Sequence, residues 1–343
     1  MPRKKQAVEE VEAPEPEELE QEVEALEEEP EESEVPYLDV DRIQREIEKE
    51  LKFATFEPDE TFWLDTRSPD MNSVLGSREL GMPYGKLTEL RGKNHGGKTA
   101  LALILAGMAQ RDGAGVGYID LENSRDTQWS TKLGLDVSRV IDIHPKFIYS
   151  DKKRTGIPRL QSAEELFSAT EVAMRKLSDA GFKKQFWMLD SIANLQTQMV
   201  VEGGATGQNM RTKGDRAAFL SLQLPHLCGL AANYNAQVVL INQIRTKIGF
   251  VLGDPNYSPG GNALEHSCHV RINVRRLKNG QLRKNGKIVG LVGVMKNFKN
   301  KAGHGSQQDE EVGFKIRWDG QVVKFEVMSK DEAEELLKED KGE

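Results

Sequence analysis

The chain has 343 residues and 38% apolar side chains, enough for a packed core through most of its length and for one large domain or two ordinary ones. Its longest apolar runs, such as 101–108 and 237–241, fall well short of the roughly 20 residues of a membrane span. The formal charge of −8 is unevenly spread: residues 1–36 carry 15 Glu against 3 Lys or Arg, net −12, and residues 329–343 carry 7 acidic against 3 basic groups, net −4, leaving about +8 on the body between them. A basic body suits a polyanionic partner, and acidic tails either compete with that partner or keep the chain soluble. Glutamates over 9–34 replace the apolar stretch of a secretory signal, and the two cysteines, Cys228 and Cys268, form no metal or disulfide pattern, so a soluble cytoplasmic protein is expected.

In chain order, residues 1–36 combine glutamate with Pro14, Pro16, Pro30 and Pro36 and read as a disordered acidic tail. Residues 37–60 form a second segment. Within it, Val40, Ile43, Ile47 and Leu51 recur every three or four positions and predict an amphipathic helix over 39–53, followed by an extended Phe53-Ala54-Thr55-Phe56 stretch. That helix docks either on its own domain or on a neighbouring subunit. From residue 61 to 328 the pattern becomes short apolar strands alternating with helices. Strands are expected at 86–90, 115–121, 186–190, 237–242 and 269–276, and helices at 98–112 and 163–180. This is an α/β core with a mostly parallel twisted sheet flanked by helices. Residues 329–343 read as a short acidic tail.

Gly92-Lys93-Asn94-His95-Gly96-Gly97-Lys98-Thr99 has the spacing of a phosphate-binding loop between a strand and an apolar helix that continues through Ala100. Gly92 and Gly97 let backbone N–H groups turn toward phosphate, Lys98 adds a point charge, and Thr99 is expected on Mg²⁺. The strand ending in Asp190-Ser191 supplies the Mg²⁺ partner Asp190, so ATP with Mg²⁺ is the implied pair. Tyr118-Ile119-Asp120-Leu121-Glu122 is another strand ending in acids: Asp120 reads as structural, and Glu122 as the carboxylate that orients and deprotonates water. Trp129, seven residues on, either stacks on a purine or is a half-exposed helical aromatic.

Three further strings, Leu240-Ile241-Asn242-Gln243-Ile244-Arg245-Thr246-Lys247-Ile248-Gly249, Gly260-Gly261-Asn262-Ala263-Leu264 and Val270-Arg271-Ile272-Asn273-Val274-Arg275-Arg276, resemble the bacterial RecA recombinases and their phage relatives. The resemblance covers about residues 60–328. It implies an ATP-dependent strand-exchange protein that polymerises as a helical filament on single-stranded DNA and pairs it with homologous duplex. Mediator and single-strand-binding proteins are further candidate partners. By the same resemblance, Asp126 and Trp129 border the adenine, Ser191 accompanies Asp190, and Gln243 senses the γ-phosphate at the head of the second DNA loop. In that loop Arg245 and Lys247 meet phosphates, Ile248 wedges between bases, and Gly260 and Gly261 contact the backbone. Met210, Arg211, Lys213 and Arg216 belong to the first DNA loop, and Lys299 with Lys301 reach across a filament interface to a neighbour's nucleotide.

The chain departs from the pattern at His95-Gly96 and His266, and because it stops soon after Val327 it is expected to lack the larger C-terminal domain of the family. Two other readings share part of these features: a hexameric motor, which has the phosphate loop and Asp190 without the 242–276 string, and a DNA-binding regulator with vestigial ATPase activity.

Overall fold

The computed structural model describes residues 61–149, 159–203, 212–246, 256–257, 259–302, 309–318 and 323–339, together with Arg42, Glu46 and Lys49. Residues 1–59 and 60–343 form two separate units. In the first, Arg42, Glu46 and Lys49 are helical and Arg42 pairs with Glu46 one turn on. The remainder of the expected 39–53 helix, the extended stretch after it and the acidic tail 1–36 lie outside the described residues.

The second unit is built on one nine-stranded sheet. Its strands are β1 (Leu87–Gly92), β2 (Gly115–Asp120), β3 (Val140–Ile143), β4 (Gln185–Asp190), β5 (Ala236–Gln243), β6 (Val270–Lys284), β7 (Lys287–Asn300), β8 (Glu311–Arg317) and β9 (Lys324–Met328). They lie in the order β9-β8-β7-β6-β1-β5-β4-β2-β3. Neighbours from β6 to β3 are parallel, as the alternation of strands and helices predicts. The β6–β7, β7–β8 and β8–β9 pairs are antiparallel, an extension the sequence reading did not contain.

The strand β4 explains why the parallel half is buried on both faces. Phe186 and Met188 enter one apolar cluster, with α1 (Pro69–Leu75) and α2 (Lys98–Arg111), while Trp187 and Leu189 enter another, with α4 (Ala163–Asp179) and α6 (Thr212–Asn233). A strand covered on both sides must be apolar at every position, and Phe186-Trp187-Met188-Leu189 is. The helix α2 is similarly apolar around most of its circumference, and ten of its 14 residues are buried. A capping box between Ser162 and Glu165 starts α4 where the sequence places it.

Two segments differ from expectation. The strand expected to stop at residue 276 continues to Lys284 and turns back through Asn285-Gly286, both at positive φ (53° and 76°). Asn-Gly favours this kind of tight hairpin turn because both residues tolerate that backbone region. The acidic segment read as a tail contains α8 (Lys330–Glu339): Ala333 and Leu337 bury against Leu277, Leu282, Val292 and Val294 of the hairpin. Reciprocal hydrogen bonds between Ser329 and Glu332 cap its start, and the helix docks by an apolar stripe with Glu332, Glu334 and Glu335 exposed.

Candidate nucleotide site

Parallel register brings the chemistry to one end of the sheet, since strands aligned in one direction finish side by side. Gly92 at the end of β1 lies opposite Gln243 at the end of β5, and Asp120 at the end of β2 lies opposite Asp190 at the end of β4. At Gly92 an added Cβ would come within 2.0 Å of the Val274 carbonyl oxygen of β6, so no larger residue fits there. Gly97 takes φ +95° as the chain enters α2, which favours glycine and turns the loop over the helix N-terminus.

Lys98 is buried and its Nζ donates to the carbonyl of Lys93 at 3.0 Å, bracing the loop. Burial pulls its pKa down, while the charges of Asp190 and Glu122 push the other way. The Thr99 hydroxyl donates to Asp190 Oδ2 at 2.7 Å. Asp190 is itself buried, and chiefly for that reason its pKa is pushed up to about 6; the Glu122 charge adds to the rise, whereas the Thr99 hydrogen bond and Lys98 oppose it. A hydroxyl beside a carboxylate that is costly to ionise is a donor set suited to a hard cation sharing phosphate oxygens.

Asp120 organises the turn after β2, accepting the backbone N–H of Glu122 at 3.1 Å and of Arg125 at 3.0 Å. The Glu122 carboxylate is thereby presented on an exposed turn, and its Oε1 accepts from Ser191 Oγ at 2.9 Å, Asn194 Nδ2 at 3.0 Å and Gln243 Nε2 at 3.5 Å. Lys98, Thr99, Ala100, Glu122, Asp190, Ser191 and Gln243 share one cleft of about 540 Å³, a size typical of small-ligand sites.

The opposite wall comes from the antiparallel extension and was absent from the sequence reading: Arg276, Gln281, Ile288, Leu291 and Trp318. Trp318 is pinned to the hairpin by its backbone N–H on the Val289 carbonyl at 2.7 Å and its indole N–H on the Ile288 carbonyl at 3.1 Å. Trp129 packs edge-on against Trp318, ring centroids 5.4 Å apart, so it backs the aromatic that lines the cleft. Asp126 caps α3 (Thr127–Lys132) by accepting the Trp129 backbone N–H at 3.0 Å. Nothing in local sequence around Trp318 signals the cleft, because strand order alone brings it to a phosphate loop more than two hundred residues away.

Gln243 is set by a buried network beneath it. Glu89, fully buried on β1, accepts from Asn242 Nδ2 at 2.9 Å and Arg271 Nε at 2.7 Å, and Asn242 Oδ1 accepts the Gln243 backbone N–H at 2.9 Å. Asn242 Nδ2 also donates to the Pro259 carbonyl at 2.9 Å, one residue before Gly260, which takes φ +112° and begins α7 (Gly261–Ser267). One side chain therefore ties together both ends of the segment assigned to the second DNA loop.

The residues assigned to DNA are placed unevenly. Met210, Arg211, Lys247 and Ile248 lie outside the described residues; Lys213 lies in α6, and Arg245 pairs its backbone with Tyr257. The guanidinium of Arg216 is engaged with the protein: Nε donates to the Leu195 carbonyl at 3.0 Å and Nη1 to the Ala193 carbonyl at 2.5 Å. Lys299, near the end of β7, and Lys301, just beyond it, are not among the residues that line the cleft of their own chain. Lys299 Nζ donates to the Glu265 carbonyl and its pKa is lowered, mainly by burial and then by Lys301, which is itself exposed.

Comparison with known proteins agrees with this architecture. The chain matches the family described as the RecA N-terminal domain over residues 58–153 and 161–317. It is 31% identical over 221 residues to the protein RecA of Acinetobacter baumannii, covering 64% of this chain and 56% of that one. To RecA of Clostridium beijerinckii it is 30% identical over 247 residues (72% and 61%), and to RecA of Rhodopirellula baltica 31% over 238 residues (69% and 56%). The chain thus spans 56 to 61% of the length of these relatives.

Proposed function

The chain belongs to the RecA family, and from that premise we propose that it is a DNA-dependent ATPase that polymerises on single-stranded DNA as a helical filament and pairs it with homologous duplex. The observation that carries the reading is the meeting at Glu122. One carboxylate stands beside the phosphate loop and Asp190, and the same oxygen accepts from Gln243, the residue that precedes the second DNA loop.

In this reading, the amides of 94–99 and Lys98 bind the β- and γ-phosphates of ATP, and Thr99 with Asp190 holds the Mg²⁺ that neutralises them. Glu122 orients a water and takes its proton during attack on the γ-phosphate, while Lys98 offsets the growing negative charge. Trp318, backed by Trp129, stacks on the purine. Gln243 responds to the γ-phosphate and shifts the segment that follows it. Lys299 and Lys301 complete the site from a neighbouring copy, in keeping with their lying outside the lining of their own cleft. Arg245, Lys247, Ile248, Gly260 and Gly261 contact DNA through phosphates and stacking, so no base sequence is preferred.

Electron microscopy of the full chain with single-stranded DNA and a nonhydrolysable ATP analogue tests this. Helical filaments on the strand are expected. Closed rings alone would favour the hexameric motor.

A further inference from the structure

We propose that Asn194 is a positioning residue for Glu122 and that it ties this carboxylate to the first turns of α6. The proposal rests on Glu122 being the base described above. Of the three donors on Glu122 Oε1, Ser191 is fixed by burial at the end of β4 and Gln243 by the Glu89–Asn242 network beneath β5. Asn194 has neither support. It is exposed, on a one-turn helix at 192–194.

What fixes Asn194 is α6. Arg216 donates to the carbonyls of Ala193 and Leu195, bracketing Asn194 on both sides, and the Thr197 hydroxyl donates to the Asp215 carboxylate. Three hydrogen bonds from consecutive residues of one helix thus hold the turn that aims the Asn194 amide at Glu122. A catalytic carboxylate on an exposed turn is only as well oriented as the groups that hold it. Beyond it, Glu122, Asn194, Gln196, Arg216 and Gln243 surround an open polar cavity of about 550 Å³, so among the described residues hydrogen bonds, not close packing, orient that side of the carboxylate.

The consequence is a second connection to DNA. The helix α6 begins immediately after residues 204–211, within the segment that the family resemblance assigns to the first DNA loop. Gln243 reaches Glu122 from the second loop, and Asn194 reaches the same oxygen from the first. Arg216, which the family resemblance assigns to the first DNA loop, then acts as a strut inside the protein.

Steady-state ATP hydrolysis by the full chain tests this, first without DNA and then with saturating single-stranded DNA. Asn194→Ala should lower kcat about tenfold in both conditions with the KM for ATP unchanged, because orientation is lost and nucleotide contacts are kept. Arg216→Ala should lower the DNA-free kcat similarly, Arg216→Lys should recover part of it by restoring one donor, and the double variant should fall no further than the larger single loss. Unchanged kcat in Asn194→Ala, or an Arg216→Ala effect confined to the DNA-bound reaction, overturns the proposal while leaving the ATPase reading intact. Absence of hydrolysis in the unmodified chain removes both. An unchanged thermal midpoint in Asn194→Ala is expected of an exposed residue and separates lost orientation from lost fold.

Discussion

The two walls of the nucleotide cleft are built by different logic. The phosphate wall, Asn94 to Ala100, is one contiguous stretch whose chemistry follows from local geometry: a left-handed glycine, a helix N-terminus, and Lys98 and Thr99 at fixed offsets. The opposite wall is assembled from the β6–β7 hairpin and Trp318, whose nearness to the loop depends on β6 lying beside β1 in the sheet. In the proposed mechanism the first wall meets the reacting phosphates and the second only the purine side. Changes on the first should therefore fall on kcat and changes on the second on KM.

The largest expected effect is on the phosphate wall and the groups facing it. Lys98→Ala should reduce ATP turnover at least 100-fold, on the order seen when a preorganised charge is removed from a reaction centre. Glu122→Gln should reduce kcat by about 100-fold or more while ATP binding, followed by nucleotide fluorescence, and filament formation persist. Equal loss of binding in both variants would contradict the role given to Glu122. Next in size is Trp318→Ala, which should raise the KM for ATP about tenfold with kcat held, on a stacking energy of roughly 1–3 kcal/mol. A kcat loss there would break the division between the walls.

The smallest effect concerns pH and belongs to Asp190, which pairs with Thr99 of the phosphate wall. Because the Asp190 pKa is raised to about 6, a proton competes with Mg²⁺ for its carboxylate below that pH. The Mg²⁺ needed for half-maximal hydrolysis should rise as pH falls through 6, by up to about tenfold per unit. Asp190→Asn should lack that step. The linkage to stability has the opposite sense to an ion-paired carboxylate. A folded pKa above the ordinary 3.8 makes the metal-free fold gain stability as pH falls from about 6 toward 4, and lose it as pH rises through that window. Thermal melts of the two proteins compared across that window measure it.

The same contrast explains what could be read from sequence. The phosphate loop, the strand ending in Asp190 and the parallel core were legible because each rests on a local signal: fixed spacing, or an apolar run broken by a carboxylate. Trp318 was not, since its position depends on strand order, and no periodicity near residue 318 encodes it. The hairpin was half legible. Its Asn285-Gly286 turn is a strong local signal, but the charged residues after Arg276 hid the strand, whose exposed face they occupy. The helix α8 was hidden similarly: its glutamates dominate the composition, and only Ala333 and Leu337 show that it docks. Asn194 carries no motif at all: its amide meets Glu122, 72 positions upstream, and its turn is held through its neighbours by Arg216.

The central claim is that Glu122 is linked to DNA through the groups that hold it. ATP hydrolysis by the full chain, titrated with single-stranded DNA, measures this most directly. The account predicts a saturable rise in kcat whose size, as the ratio of the DNA-saturated to the DNA-free rate, falls in Gln243→Ala. A rate that does not respond to single strands would contradict it.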